Sequence, residues 1–379
     1  MKKVKIGDVC EIINGYAFKS ENYVDNGIRV IRITNVQKGF IEDNTPVFYP
    51  INSVSLNKYM LKENDLLISL TGNVGRVALL EKKFLPAALN QRVACLRLIS
   101  DKIFKNYLFH ILNSEYFEKQ CIQASKGVAQ KNMSTEWIKE FEIPLYSQKE
   151  QVKIVKILNG VRSIIDNRRI EIQQLDFLIK SRFVEMFKNE KEHISMSKLC
   201  SIITDGTHQP PKFVPKGIPF IFVSNISDNK ITYNAGKFIS QETYDELIKR
   251  TPIEIGDVLL STVGSYGHPA VVKSDKKFLF QRHIAYLKPK KDIIDSDYLH
   301  GALLSPNIQR KIEESVKGIA QKTLNLSEIK RMSIPVPDIN KQKQFATFVH
   351  QVDKLKVEEQ QRLEKAQMLF DSLMQQYFG

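Results

Sequence analysis

Two acids followed by paired lysines, at similar distances in each half of the chain, form the pattern closest to a catalytic site. Asp65 precedes Glu81-Lys82-Lys83, and Asp257 precedes Asp275-Lys276-Lys277. Two carboxylates and a lysine at such spacing could hold Mg²⁺ for phosphodiester cleavage. The acid-Lys-Lys-Phe stretches also suit an exposed, charged hairpin turn, which is the interpretation we prefer.

The sequence lacks the other signatures that would indicate catalysis. It has no Asp/Asn-Pro-Pro-Tyr/Phe tetrapeptide, which an amino-methyltransferase needs, and Gln209-Pro-Pro-Lys212 is not one. Gly264-Ser-Tyr-Gly267 is too short for a dinucleotide loop, and no Gly-x4-Gly-Lys-Ser/Thr motif occurs. We therefore expect a binding protein that carries no metal and no cofactor.

The charge of the chain favours a polyanionic partner. There are 56 Lys and Arg residues against 42 Asp and Glu residues, which gives a formal net charge of +14 and a pI near 9.4. A merely soluble basic protein is the alternative. No apolar run approaches the roughly 20 residues of a membrane span. The 4 cysteines lie far apart without metal-type spacing, so we expect buried thiols in a reducing, cytoplasmic setting.

The chain contains an internal duplication. Residues 127–189 and 318–379 are two copies of one segment, and they begin with Gly127-Val-Ala-Gln-Lys131 and Gly318-Ile-Ala-Gln-Lys322. The offset of 191 residues is half of the 379-residue chain. A looser match continues upstream and aligns Gln91-Arg92 with Gln281-Arg282. A repeat of this size is too large for a solenoid unit, so the sequence predicts a duplicated module.

The end of each repeat predicts a long helix. No proline occurs between Pro144 and Pro210 or after Pro337. Apolar residues recur at a spacing of three and four, which indicates a coiled-coil seam. If the two helices pair antiparallel, one head lies at each end of a rod, and an approximate two-fold axis relates the halves. The seam series begins at Ile154, Leu158, Val161 and Ile165 and runs through Arg182 to Met186; its counterpart begins at Phe345, Val349 and Val352 and ends at Leu373 and Tyr377.

The remaining parts of each repeat predict a mixed α/β head. Residues 28–33 and 218–223 alternate as strands do, whereas 65–70 and 257–262 are apolar strands that end in Gly-x-x-Gly. Residues 106–124 and 297–315 suit amphipathic helices. We therefore predict an α+β fold in which two mixed α/β heads are separated by two long antiparallel coiled-coil helices, with pseudo-two-fold symmetry. The expected bounds are 1–145 for the first head, 146–190 for its helix, 191–336 for the second head and 337–379 for its helix.

In this order, and given twice, these features resemble the specificity subunit of type I restriction-modification systems over essentially the whole chain. The best-matching phrases are Glu142-Ile-Pro-Leu-Tyr-Ser-Gln-Lys-Glu-Gln151, Ile334-Pro-Val-Pro-Asp-Ile-Asn-Lys-Gln342 and Ile203-Thr-Asp-Gly-Thr-His208. Two departures bear on how the long helices begin. The second connector has Asn340-Lys-Gln where the family usually shows an acidic residue before its glutamine, and Tyr146 replaces a usual proline.

The resemblance implies a non-catalytic DNA-binding subunit. Each head, a target recognition domain, would recognise one half of a bipartite site in double-stranded DNA, and because the heads differ the site should not be a palindrome. The long helices would dock methyltransferase subunits, expected to be two, and a nuclease-translocase subunit would join the larger complex. The alternatives are the specificity subunit of a related type II system, fused or two-subunit, a Mg²⁺-dependent nuclease, and a coiled-coil scaffold.

Loop residues with suitable chemistry are the candidates for DNA contact. Arg can bond guanine, Asn and Gln can bond adenine, and Lys, Ser and Thr mostly contact phosphates. The candidates could also have purely structural roles. The Asn residues could stabilise turns, the Gln-Arg pairs could brace strands, and the His residues could be ordinary surface or core residues. In the first head the candidates are Tyr16, Lys19, Asn35, Thr71, Asn73, Arg76, Gln91 and Arg92. In the second they are Thr207, His208, Gln209, Asn225, Ser265, Tyr266, His268, Gln281 and Arg282.

The first long helix carries more apolar residues than one seam can use. A two-helix rod would leave many of them in water, so partner helices are expected to cover them. We interpret this surface as the methyltransferase docking site; the alternative is that the heads fold back onto it. The residues are Ile157, Ile164, Ile170, Phe177 and Leu178.

If the heads are separate modules, a head exchange should alter half of the recognised sequence. Replacing residues 1–125 with another first head is expected to change one half-site and leave the other unchanged, because the second head keeps all its contacts. Sequencing of the methylated motif in cells that carry the chimera and its methyltransferase checks this. A swap that altered both half-sites, or neither, would contradict modular recognition.

Overall fold

A computed structural model describes residues 2–51, 54–125, 133–316 and 322–379. The repeated phrase therefore lies outside the described residues, except for Lys322. By its internal contacts the chain divides into two units, residues 1–168 with 362–379 and residues 169–361. Each unit thus contains the beginning or end of both long helices. The predicted head and helix bounds stay a prediction, because this division follows contacts alone.

The first repeat runs from strand β1 to the long helix α4. Its strands are β1 Lys3–Lys5, β2 Cys10–Asn14, β3 Ile28–Ile31, β4 Phe48–Tyr49, β5 Leu66–Ser69, β6 Val77–Leu79, β7 Ala87–Leu89, β8 Val93–Leu98 and β9 Glu142–Pro144. Its helices are α1 Lys105–Leu112, α2 Glu115–Ala124, α3 Thr135–Glu140 and α4 Gln148–Phe187, and 3₁₀ turns include Ile33–Asn35 and Val54–Tyr59.

The second repeat gives the same order of elements with two additional short helices, one before its second strand and one between its fourth and fifth strands. Its strands are β10 His193–Ser195, β11 Cys200–Asp205, β12 Ile218–Ile221, β13 Phe238–Ile239, β14 Val258–Ser261, β15 Pro269–Val271, β16 Leu279–Phe280, β17 Ile284–Pro289 and β18 Ser333–Pro335. Its helices are α5 Met196–Leu199, α6 Gln241–Leu247, α7 Ser296–Leu304, α8 Pro306–Ser315, α9 Leu326–Arg331 and α10 Ile339–Phe378, with 3₁₀ turns at Val223–Asn225 and Ile248–Arg250.

The sheets of the two heads have one topology. In the first head, β2-β8-β5-β6 form an antiparallel sheet, β4-β3-β7 form a second sheet in which β3 and β7 are parallel, and β1 pairs with β9. In the second head the corresponding orders are β11-β17-β14-β15, β13-β12-β16 and β10-β18. Equivalent register pairs include Leu66 with Leu96 and Val258 with Leu287. The two heads therefore share a framework.

The strand predictions agree with the structure, whereas the closing helices are shorter than expected. Each predicted helix is divided in two, α1 from α2 and α7 from α8. At the first division the Ser114 hydroxyl accepts a hydrogen bond from Phe117 N and caps α2. At the second, Pro306 occupies the first turn of α8, a position that favours helix initiation. A cap and a proline start new helices inside an amphipathic pattern that is otherwise continuous.

Both predicted long helices are present, and each unit packs one beginning and one end of them into its core. In unit 1, Ile154 and Leu158 of α4 share a buried cluster with Met374 and Phe378 of α10. In unit 2, Phe183 and Phe187 of α4 pack with Phe345 and Val349 of α10. Among the helices that the structure describes, none combines the length and apolar character that a membrane crossing requires.

The seam departs from prediction at the C-terminal end of each helix. The predicted seam residues Arg182 and Leu373 are only partly buried, whereas Phe183 and Met374 are 4% and 7% exposed. A helix has 3.6 residues per turn, so a strict seam spacing of 3.5 drifts around its surface over several turns. The buried face therefore advances by one residue near the end of each helix.

A buried tyrosine ties each head to the long helices. In unit 1 the Tyr107 hydroxyl donates to Pro144 O at 2.9 Å, and its ring centroid lies 5.5 Å from that of Phe378. Tyr146, which replaces the usual proline, packs against the Tyr107 ring at 6.2 Å, and its hydroxyl lies 3.4 Å from Tyr377 O. Tyr146 thus links the start of α4 to the end of α10.

The same arrangement recurs 191 residues later. The Tyr298 hydroxyl donates to Pro335 O at 2.7 Å, and its ring centroid lies 4.9 Å from that of Phe187. Phe345 meets Phe183 at 5.3 Å between centroids. Each head is therefore completed by residues of both long helices.

A buried glutamine joins each long helix to its head. Gln151 and Gln342 are both 0% exposed. Gln342 accepts a hydrogen bond from Asp295 N at 2.9 Å and donates to Ile293 O at 3.1 Å and Pro337 O at 2.8 Å. Gln151 makes the equivalent three bonds, to Phe104 N, Lys102 O and Tyr146 O, each at 2.9 Å. One amide thus satisfies three backbone groups where the helix starts.

We expect Gln342→Ala to destabilise unit 2 strongly. It leaves one N–H and two carbonyls without partners in a buried place, at a cost of about 3 kcal/mol or more in the free energy of unfolding. Gln344 is exposed on the same turn of α10, and Gln344→Ala should change that free energy by only about 0.5 kcal/mol. Chemical denaturation of the two variants measures the difference. A loss below about 1 kcal/mol for Gln342→Ala would contradict the view that the three bonds of this amide hold the helix to the head.

Candidate nucleic-acid interface

In each head the loop after the first long strand crosses the segment before β8 or β17 at close range. Tyr16 N donates to Leu89 O at 2.8 Å, and Gln91 N donates to Tyr16 O at 2.9 Å. A Cβ on Gly15 would lie 2.0 Å from Asn90 O, so only glycine fits there. The crossing holds the Tyr16 loop against Gln91.

The second head repeats this crossing. Thr207 N donates to Phe280 O at 2.9 Å, and Arg282 N donates to Thr207 O at 3.0 Å. A Cβ on Gly206 would lie 2.3 Å from Phe280 O. Arg282 thus occupies the place that Gln91 has in the first head.

This geometry corrects the alignment of the two Gln-Arg pairs. They match in letters but are out of register by one residue, because Gln91 corresponds to Arg282 and Arg92 corresponds to His283. The backbone shows the shift directly: Leu70 N donates to Arg92 O at 3.0 Å, and Thr262 N donates to His283 O at 2.9 Å. The pairs are therefore not a recurring framework motif, and the two heads present different side chains at these positions.

The Gly-x-x-Gly hairpins lie beside the crossings. Gly72 and Gly75 have φ values of +66° and +82°, and Gly264 and Gly267 have +73° and +81°. These left-handed conformations favour glycine and turn β5 into β6 and β14 into β15. The described residues just past the repeated phrase join the same edge, where Met133 N donates to Leu70 O at 2.9 Å and Leu324 N donates to Thr262 O at 2.8 Å.

The structure therefore brings most of the predicted contact residues together at one edge of each head. Gln91 and Arg92 are exposed, and the Arg92 side chain has no hydrogen bond or ion pair with any residue the structure describes. Arg282 is exposed, and its Nε donates to His283 Nε2 at 3.3 Å. Burial, and then the charge of Arg282, lower the pKa of His283, which favours the neutral, accepting ring. In the first head Tyr16, Thr71 and Asn73 lie near Gln91 and Arg92, and in the second head Thr207, Ser265 and Gln281 lie near Arg282. Lys19 is exposed on the Tyr16 loop, and its Nζ lies 3.8 Å from Glu21 Oε1.

Three candidates at the hairpins are engaged with the protein itself. The Arg76 Nη1 donates to Gln37 Oε1 at 2.5 Å, and His268 Nδ1 lies 3.1 Å from Asn229 Oδ1. The Tyr266 hydroxyl bonds the Glu313 carboxylate. These contacts brace the hairpins against neighbouring parts of the head. To contact DNA, these side chains would have to break the bonds that they make within the protein.

The two asparagines are turn residues in this structure. Asn35 is 4% exposed; its Oδ1 accepts from Arg32 N at 2.8 Å and its Nδ2 donates to Glu42 O at 2.9 Å. Asn225 is 9% exposed and its Oδ1 accepts from Phe222 N at 3.0 Å. Since their amides are buried and bonded, the turn interpretation is favoured for both. Base contact is better sought among the exposed residues.

The second head carries a cleft that sequence reasoning found only in part. It has a volume of about 580 Å³ between residues 206–212 and 243–251. The predicted residues Thr207, His208 and Gln209 line one side. Arg250, on the other side, was not among the candidates, and its Nη2 lies 2.6 Å from Asp205 Oδ1. It is the last residue of the short 3₁₀ turn Ile248–Arg250, and so short an element gave no periodic signal that would have singled it out.

Two acidic residues of the nuclease hypothesis, Asp65 and Asp257, bond side chains of neighbouring strands instead. Asp65 is 4% exposed and accepts from Arg97 Nε at 3.0 Å and Nη2 at 2.6 Å. Glu81 pairs with Lys83 at 2.8 Å, as suits a charged turn. Asp257 accepts from the Tyr286 hydroxyl at 2.7 Å. Within the described ranges no group of three or more His, Cys, Asp or Glu residues is placed to hold a metal ion. This geometry gives the nuclease hypothesis no support.

Comparison with known proteins finds one family. A family model described as the type I restriction modification DNA specificity domain matches residues 1–175 and 206–367. The EcoBI specificity subunit of a type I restriction enzyme from Escherichia coli is 28% identical over 386 residues, which cover 92% of this chain and 78% of that protein.

Solved structures show the same fold. A chain from a structural study of complex assembly and conformational transition of the type I R-M system has a TM-score of 0.60 at 18% identity and covers 100% of this chain and 97% of its own. The S subunit of a type I restriction-modification system from M. genitalium has a TM-score of 0.53 at 15% identity, covering 100% and 96%. The predicted class, a duplicated α+β module with long helices, is confirmed.

The exposed edge of the first head generates a prediction about salt. If Arg92 contacts a phosphate, Arg92→Ala should weaken duplex binding about equally for all sequences and reduce the slope of log K against log salt concentration by about one. Lys149 is an exposed cation on α4 away from this edge, so Lys149→Ala should leave the slope unchanged. Binding titrations of the purified proteins over a series of salt concentrations decide it. An unaltered slope for Arg92→Ala would remove this residue from the interface.

Proposed function

This chain belongs to the family of type I restriction-modification DNA specificity subunits, and we propose that each of its heads contacts one half of a two-part, asymmetric DNA site. The observation that carries the proposal is the contrast within the duplication. The sheets recur, as do the chain crossings at Gly15 and Gly206 and the buried glutamines at the start of each long helix. The exposed side chains at the crossings do not recur. A shared framework with unlike contact residues suits two unlike half-sites, and a non-palindromic site follows.

The chain itself selects DNA, and methylation and cleavage belong to partner subunits. The relatives are named specificity subunits, which supports a non-catalytic role. A methyltransferase would add the modifying activity and a nuclease-translocase subunit the cleaving activity, in the cytoplasm, where the DNA is.

Exposed apolar residues at equivalent positions on the two long helices support docking of two methyltransferase subunits. On α4, Ile164 is 50%, Phe177 71% and Leu178 45% exposed. The residues 191 positions later on α10 are Leu355, Met368 and Leu369, with exposures of 49%, 63% and 51%. Large apolar side chains left in water at matching places on two helices indicate a repeated interface.

Two further residues complete the predicted docking set. Ile157 is partly buried and lies seven residues before Ile164 on the same face; its counterpart Phe348 is also partly buried. Ile170 is 50% exposed, but its counterpart is Gln361. The repeated set of apolar residues therefore consists of Ile157, Ile164, Phe177 and Leu178 on α4 and Phe348, Leu355, Met368 and Leu369 on α10.

Stoichiometry tests this proposal. The wild-type chain co-expressed with its methyltransferase should purify with two copies of it. Ile164→Asp should leave one copy, because it places a charge in the apolar set of one helix only, and Leu355→Asp should do the same. The double variant should bind none. Native mass spectrometry of the purified complexes gives the copy number.

The control uses the same substitution elsewhere on α4. Ser181→Asp changes an exposed residue outside both apolar sets and should keep two copies. Circular dichroism and the unfolding midpoint establish that each variant is folded. Two copies retained by the folded double variant would place the docking surface elsewhere.

A further inference from the structure

Corresponding places in the two heads carry different chemistry beside the glycine crossing. In the first head the Tyr16 ring lies 5.2 Å from the Tyr59 ring and 5.1 Å from the Phe18 ring, between centroids. In the second head Thr207 occupies the place of Tyr16 at the crossing, as the matching bridges to Asn90 and Gln281 show. Aromatic packing in one head is therefore replaced by small and polar residues in the other.

The segments that face these loops differ in the same way. Tyr59 ends the 3₁₀ turn that precedes Met60, whose carbonyl accepts from Arg97. In the second head the corresponding carbonyl is Pro252 O, which accepts from Lys288, and the 3₁₀ turn before it ends at Arg250. Counting back from these carbonyls, Arg250 corresponds to Lys58 and Thr251 corresponds to Tyr59. The loop at the crossing is therefore faced by the Arg250 guanidinium in the second head and by the Tyr59 ring in the first, from adjacent rather than equivalent positions. The cleft of about 580 Å³ lies between that loop and the Arg250 segment.

Arg250 is held by its neighbours at one nitrogen. Its Nη2 donates to Asp205 Oδ1 at 2.6 Å and lies 3.2 Å from His208 Nε2, which itself lies 3.1 Å from Asp205 Oδ1. The Asp205 side chain is 18% exposed and its backbone is fixed in β11 opposite Ala285, whereas the Arg250 side chain is 50% exposed. Nη1 and Nε have no partner among the residues that the structure describes. The group is oriented at one end and keeps donors for a ligand at the other.

We propose that Arg250 recognises a guanine in the second half-site, with Asp205 as its positioning residue. The inference rests on the proposed function and specifies the chemistry of one head. Guanine presents two acceptors, N7 and O6, on its major-groove edge, and a planar guanidinium matches them. When the base binds, Nη2 keeps its short bond to Asp205 and replaces its longer contact with His208 by a bond to the guanine. The first head, with Tyr59 in this region, does not have this requirement.

Lys249 provides a matched control in the same cleft. It is the adjacent residue, it is exposed, and it also lines the cleft. A lysine that contacts phosphate contributes to affinity without selecting bases. Lys249→Ala should therefore weaken binding evenly over all sequences and leave the recognised motif unchanged.

The test measures methylation by the complete complex on duplexes in which each base pair of the second half-site is replaced in turn. In the wild type, replacing one G·C pair should slow methylation roughly tenfold or more. Arg250→Ala should abolish the penalty at that pair alone. Arg250→Lys keeps the positive charge but lacks the planar pair of N–H donors, so it should also lose discrimination between bases at that pair. Asp205→Asn should reduce the penalty at the same pair.

Three outcomes would overturn the proposal: an unchanged pattern of penalties in Arg250→Ala and Arg250→Lys, an even weakening like that of Lys249→Ala, or relaxation in the first half-site. If Arg250→Ala fails to assemble with the methyltransferase, Arg250→Lys gives the decision. A wild-type complex that methylates no defined motif would instead overturn the proposed function.

Discussion

Completion of each head by both long helices is the constraint on which the rest of the structure depends. Tyr107 and Tyr298 each bond the carbonyl of the proline before a long helix, and each packs against a phenylalanine from the end of a long helix. The first core therefore needs the last turn of α10, which is more than 200 residues away along the chain. Duplication makes this possible, since the end of each copy supplies what the other copy lacks.

A rigid junction allows the contact loops to diverge. Gln151 and Gln342 fix where the helices start, and Gly15 and Gly206 fix where two segments cross. None of these residues needs a particular neighbour in the exposed loops. The sequence between the fixed points can change, and with it the chemistry offered to DNA, while the fold persists. The change from Tyr16 and Tyr59 to a cleft with Arg250 is an example.

The sequence predicts the parts of this molecule that repeat or follow a period. The 191-residue offset, the long helices and the apolar strands are all periodic signals, and the structure contains them. Positions that depend on tertiary contacts are different. The drift of the seam to Phe183 comes from helix geometry over many turns, and the burial of Asn35 comes from a turn that only the folded head forms. Gln91-Arg92 and Gln281-Arg282 show how matching letters mislead, because strand pairing shifts them by one residue.

Mapping of DNA methylation at base resolution, in a host that carries this chain and its methyltransferase, tests the central claim most directly. Two unlike heads on one framework predict a single motif with two different defined half-sites, separated by a fixed number of unspecified bases. A palindromic motif, a contiguous one, or methylation without a defined sequence would contradict the account.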